Sequence, residues 1–95
     1  MTRTEIFNAA IDGAMFRHKA IRLNHFQIMK ADENTVTMQI MVRTERSTET
    51  HVGKIEVVSF NKWTETQPRE RLFEQFRSGE LELCEENEIK KFLSI

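Results

Sequence analysis

The chain has 95 residues, 39% of them hydrophobic and 31% charged, which gives one hydrophobic core and excludes both a disordered chain and two independent domains. Its formal net charge of -1 supplies no global field to steer nucleic acid. The single cysteine, Cys84, excludes an internal disulfide and fits a reducing compartment; no apolar run approaches a membrane span, and Met1–Glu5 lacks a secretory leader, so a cytoplasmic protein is expected.

Thr2 and Glu5 have the T-x-x-E spacing of a capping box. The helix it opens is predicted from about Arg3 to Arg17, with Ile6, Phe7, Ala10, Ile11, Ala14 and Met15 on one stripe. Gly13 lies inside that pattern and costs roughly 1 kcal/mol relative to Ala. Ile21 and Leu23 then have the opposite parity to Phe26 and Ile28, so a first strand here requires a bulge near Asn24–His25. Ala31-Asp32-Glu33-Asn34 supplies turn chemistry.

The cleanest element runs from about Thr35 to Arg46, where Val36, Met38, Ile40 and Val42 alternate with Thr35, Thr37, Gln39, Met41 and Arg43. Ser47–Thr50 reads as a polar loop, and a third strand follows from His51 to Asn61 with Gly53 a candidate bulge. That strand is apolar on both faces: Ile55 and Val57 on one, Val58 and Phe60 on the other. The second pair needs a cover, either the segment Leu81–Ile95 or another protein.

Thr64 or Thr66 can cap a second helix that has Pro68 in its first turn, Leu72, Phe73 and Phe76 as its stripe and Gly79 as its stop. Glu80–Leu83 alternates as a short fourth strand, and Glu86–Ser94 reads as a final helical piece burying Ile89, Phe92 and Leu93. The fold class predicted is α+β: one domain over residues 1–95, with a three-stranded antiparallel sheet (four if 81–83 joins) packed by two helices. Its core is expected from Phe7, Ile11, Met15, Leu23, Met38, Ile40, Val57, Leu72, Phe73 and Phe76.

Catalytic signatures are missing from this pattern. His18, His25, His51 and Cys84 are separated by 7, 26 and 33 positions, unlike any compact zinc spacing. Glu82, Glu85 and Glu86 flank Cys84 and raise rather than lower a thiolate pKa. The three glycines are scattered, so no phosphate-cradling loop exists. No enzyme, catalytic residue, metal or cofactor is expected.

Two binding readings remain. The first is a small non-enzymatic interaction protein, homodimeric, that binds and modulates another protein through Met41, Val58, Phe60 and Trp63; Trp and Met are enriched in interface cores, and an open sheet has two free edges. The alternative is an RNA- or DNA-binding module built on Arg17, Lys19, Arg22 and Arg43, with Phe16 and Phe26 nearby for stacking. The order helix, three strands, helix over about residues 3–77 is similar in layout to double-stranded-RNA-binding domains, a resemblance that implies RNA as partner. The lysine-rich start of that family's second helix is not matched by Pro68-Arg69-Glu70-Arg71, where Glu70 and Glu74 interrupt the basic surface. Charge is also uneven. Residues 1–30 carry five basic against two acidic side chains, and residues 78–95 two against five, so front and tail can neutralise each other.

Overall fold

Thr2 and Glu5 exchange side chain–backbone hydrogen bonds of 3.1 and 3.2 Å and start helix α1 (Arg3–Ile11). In the computed structural model, which describes residues 1–94, this helix is shorter than its apolar stripe predicts. Gly13 adopts φ +104°, a left-handed conformation that side chains resist, and the amides of Gly13 and Ala14 donate to the carbonyls of Ala10 and Ala9 at 3.0 Å. This pair of bonds is a Schellman stop, so the helix ends where periodicity alone continues it.

Phe16–His18 is therefore not helical but a short strand, β1. It is followed by β2 (Asn24–Ala31), β3 (Thr35–Thr50), β4 (Gly53–Pro68), α2 (Arg69–Arg77), β5 (Leu81–Leu83) and α3 (Glu86–Leu93). The strands form one five-stranded sheet in the order β4-β3-β2-β1-β5, every neighbouring pair antiparallel. The α+β class holds, with five strands in place of three or four and three helices in place of two plus a tail. The extra strand β1, with β5 beside it, also departs from the three-strand layout of a double-stranded-RNA-binding domain.

Ile21 and Leu23 precede β2 rather than belong to it, which removes the parity conflict. The bulge falls instead between Ile28 and Lys30, and Met29 is exposed there. Ser47–Thr50 is strand, not loop: β3 and β4, 16 residues each, pair without a break from Thr35↔Pro68 to Thr50↔Gly53. Thr64 and Thr66 consequently lie in β4, and Pro68, which has no amide to leave unpaired, is the N-cap of α2. Gly79 stops α2 as expected, with positive φ and its amide bonded to the Phe76 carbonyl at 3.1 Å.

Cross-strand partners share a face of the sheet and alternate residues oppose. On one face, Phe16, Ile28, Val36, Met38 and Leu81 pack beneath Phe7 and Ala10 of α1 and Leu72 and Phe76 of α2. On the other, Met15 and Met41 pack against Phe92 of α3, with Phe60, Cys84 and Ile89 alongside. The C-terminal segment thus covers Phe60, whose ring meets that of Phe92 at 5.5 Å; Ile95, the last residue of that segment, lies outside the described residues. Two expected core residues are not core. Leu23 is 72% and Val57 51% exposed, because neither helix layer reaches them.

The radius of gyration is 15.8 Å and the long axis 56 Å, against a radius of about 12 Å for a compact chain of this length. The excess comes from the outer half of the β3–β4 hairpin, an arm of about 25 Å that projects past both helix layers. Among the described residues, no helix is long and apolar enough to cross a membrane.

The β2–β3 turn is held by Asp32, whose carboxylate accepts the Thr35 and Asn34 amides at 2.7 and 2.8 Å and the Thr35 hydroxyl at 3.1 Å. These bonds, the Thr35 amide foremost, hold its pKa below the ordinary carboxylate value. A depressed carboxylate contributes stability above the unfolded pKa of about 4, and that stability is lost as pH falls through the lower folded value. Asp32→Asn should accordingly lower the urea midpoint at pH 6 and soften its decline below pH 4. Parallel midpoint curves for the two proteins between pH 6 and pH 3 would show that the turn does not depend on the charge.

Candidate functional site

Because residues of β1 alternate, Phe16 enters the core below α1 and α2 and Arg17 points to the α3 side. There Arg17 is buried. Its Nη1 lies 2.8 Å from Glu82 Oε1 and its Nε donates to Glu88 Oε1. Burial opposes the charged guanidinium, but the two glutamates outweigh it and raise its pKa above the usual arginine value.

Arg43 is also engaged internally. Its Nε donates to Glu45 at 2.8 Å, and its Nη1 donates to the carbonyls of Lys91 at 3.2 Å, Phe92 at 2.7 Å and Ser94, closing the C-terminus of α3. Of the four cations expected to meet nucleic acid, only Lys19 and Arg22 stay exposed. Phe16 is fully buried and Phe26 stacks on it at 5.5 Å, so neither is presented to a base. The basic front and acidic tail neutralise each other at Arg17.

The expected protein-binding residues also separate. Met41, read as exposed among polar neighbours, is 5% exposed beneath Phe92, because α3 covers the face to which it points. Phe60 and Val58 are half-buried on that same face. Trp63 stands opposite Ile40 on the other face and is 40% exposed. What joins Trp63 in the structure is the arm. The pairs Val42↔Asn61, Thr44↔Ser59, Arg46↔Val57 and Thr48↔Ile55 share its face, and Arg46 is the only charge among them. Ile55 and Val57 are exposed there. The reverse face of the arm carries Arg43, Glu45, Glu49, Lys54 and Glu56. An arm with one strongly charged face, and one face on which Arg46 is the single charge among these pairs and Ile55 and Val57 stand exposed, is the main surface feature of the described residues. Periodicity shows the apolar residues of that face but not that the helices stop short of them.

One further group of side chains comes together. His51 sits at the arm tip and His18 Nε2 lies 3.0 Å from Glu80 Oε1, but His25 reaches Cys84 and Glu88. One donor atom from each of these three lies within 4.8 Å of the others, and His25 Nε2 is 3.9 Å from Glu88 Oε1. His25 stacks on Phe92 with ring centroids 3.8 Å apart. Burial lowers its pKa, assisted by the Arg17 charge and opposed by Glu88, so its ring is neutral at pH 7. Burial, then the Glu88 carboxylate, pushes the Cys84 thiol up to about 12, which disfavours a free thiolate near neutral pH. Sequence spacing offers His25 and Cys84 as separate donors; it does not show that they meet, nor that Glu88 joins them. Comparison of the chain with protein-family models, with characterised proteins and with solved structures finds no match.

Proposed function

We propose that this protein is a non-enzymatic interaction module that docks on another protein through the β3–β4 arm and thereby modulates it. The observation that carries this reading is the charge-poor face of the arm, where Ile55, Val57 and Trp63 are exposed and, among the described residues, no helix covers them. An exposed tryptophan on the same strand face as Ile55 and Val57 matches the enrichment of aromatic residues at protein contacts. β4 is also an edge strand along its full 16 residues, so its outward amides and carbonyls can accept an added strand. A second copy of the chain can use the same edge, which is how a homodimer would form. Nucleic acid is the weaker reading, because Arg17 and Arg43 are held by glutamates and helix carbonyls.

The test is capture of protein partners from native lysate with and without nuclease, using wild type, Trp63→Ala and Val57→Asp. Both positions are exposed, so circular dichroism should be unchanged. A nuclease-resistant partner should be held by wild type and lost by both variants, the tryptophan alone contributing about 2 kcal/mol or more, roughly 30-fold in affinity. Equal capture by all three proteins, or capture abolished by nuclease, would refute the arm as the docking surface. Light scattering across concentration assigns the self-association: a dimer mass that Val57→Asp reduces to the monomer identifies a second copy as the occupant.

A further inference from the structure

We propose that His25, Cys84 and Glu88 form a zinc site that fastens α3 to the sheet. The three residues come from separate elements: His25 from β2, Cys84 from the link after β5, and Glu88 from the first turn of α3. Their donor atoms already lie within 4.8 Å of one another. Tetrahedral zinc with bonds of about 2.0–2.3 Å sets neighbouring ligand atoms about 3.3–3.8 Å apart. The group needs to contract by about one ångström, which side-chain rotation supplies.

His25 is the independent sign of a ligand. It is 5% exposed, its Nε2 lies 3.9 Å from Glu88 Oε1, and among the described residues neither ring nitrogen makes a hydrogen bond of good geometry, the Leu23 backbone being only a weak neighbour. Burying an imidazole with both nitrogens idle is costly, and coordination of one of them removes part of that cost. The donor set of thiolate sulfur, imidazole nitrogen and one carboxylate oxygen selects zinc over magnesium or calcium, which require oxygen ligands.

Charge also fits. With zinc bound and Cys84 deprotonated to solvent, the ion and Arg17 carry three positive charges, balanced by Cys84, Glu82 and Glu88. Glu88 has two oxygens, so it can coordinate with one and keep Arg17 on the other. Arg17 then acts as a positioning residue for the ligand. His25 and Glu88 also help line a groove of about 320 Å³, from which a solvent molecule would supply the fourth ligand. The ion would join β2, the β5–α3 link and α3 where Phe92 covers Met41 and Phe60.

The test is a titration of cobalt(II) into the reduced, chelator-treated full-length protein, followed by displacement with zinc. The expected result is a sulfur-to-cobalt charge-transfer band that saturates at one equivalent, disappears when zinc is added and is absent in Cys84→Ser. His25→Gln and Glu88→Gln should each weaken zinc binding at least about tenfold. Zinc, and not magnesium, should raise the melting temperature of the wild type. Absence of the band in wild-type protein at saturating cobalt would overturn the site whether or not the variants fold. So would unchanged zinc affinity in His25→Gln or Glu88→Gln.

Discussion

Phe16→Ala should remove about 3–5 kcal/mol of unfolding free energy, a large part of the roughly 5–14 kcal/mol that a domain of this length holds. Phe16 is fully buried, stacks on Phe26 at 5.5 Å and meets Phe76 edge-on at 5.0 Å. β1 has three residues and lies between β2 and β5, so few backbone bonds hold it. Its place in the sheet depends on this side chain, and so does the attachment of β5. The alanine cavity would open where α1, α2 and the sheet meet, among Phe7, Leu72 and Phe76, and Met38 alone is too small to fill it. Urea unfolding measures the effect as a lower midpoint with an unchanged slope. Leu23→Ala, at 72% exposure, is the control and should stay within about 0.5 kcal/mol. A loss below 1 kcal/mol for Phe16→Ala would mean that β1 does not occupy the centre of this core.

Local signals in the sequence reached as far as local causes extend. The capping box at Thr2 and Glu5, the alternation from Thr35 to Arg46, the Asp32 turn and the Gly79 stop are each decided within a few residues, and each is present in the structure. The end of α1 was misread because Gly13 acts by its backbone conformation, whereas Ala14 and Met15 continue the apolar period. β1 was missed because three residues carry no measurable period, and because its partners at Phe26 and Leu83 lie far along the chain. Ser47–Thr50 looked like a loop for a different reason. In an arm with no core beside it, polarity no longer distinguishes strand from turn, and only pairing with Gly53–Glu56 reveals the strand. The same limit applied to chemistry. His25 and Cys84 were each visible as a donor, but only the β5–α3 placement brings Glu88 and Cys84 to His25.

Arg17 is where a sequence reading and the structure assign opposite roles to one residue, and substitution separates them. Next to His18, Lys19 and Arg22 it resembles part of a phosphate-binding patch. In the fold it is buried and shared between Glu82 and Glu88. Arg17→Met keeps the packing of the aliphatic stem and removes the charge, leaving two carboxylates beside each other with no cation. Breaking a fully buried pair costs about 3–5 kcal/mol. Here the glutamate side chains keep 37% and 28% exposure, so water screens part of the loss and about 2–3 kcal/mol is expected. Arg17→Lys should fall between wild type and Met, because an ammonium cannot span two carboxylates as a guanidinium fork does. Urea unfolding of the three proteins measures the order, and equal midpoints for wild type and Arg17→Met would show that the ion pair does not hold β1. A salt-dependent loss of nucleic-acid binding, with no change in stability, is the pattern of an exposed phosphate contact. A stability loss with no change in nucleic-acid binding is the pattern of a buried ion pair, and the geometry around Glu82 and Glu88 requires the second.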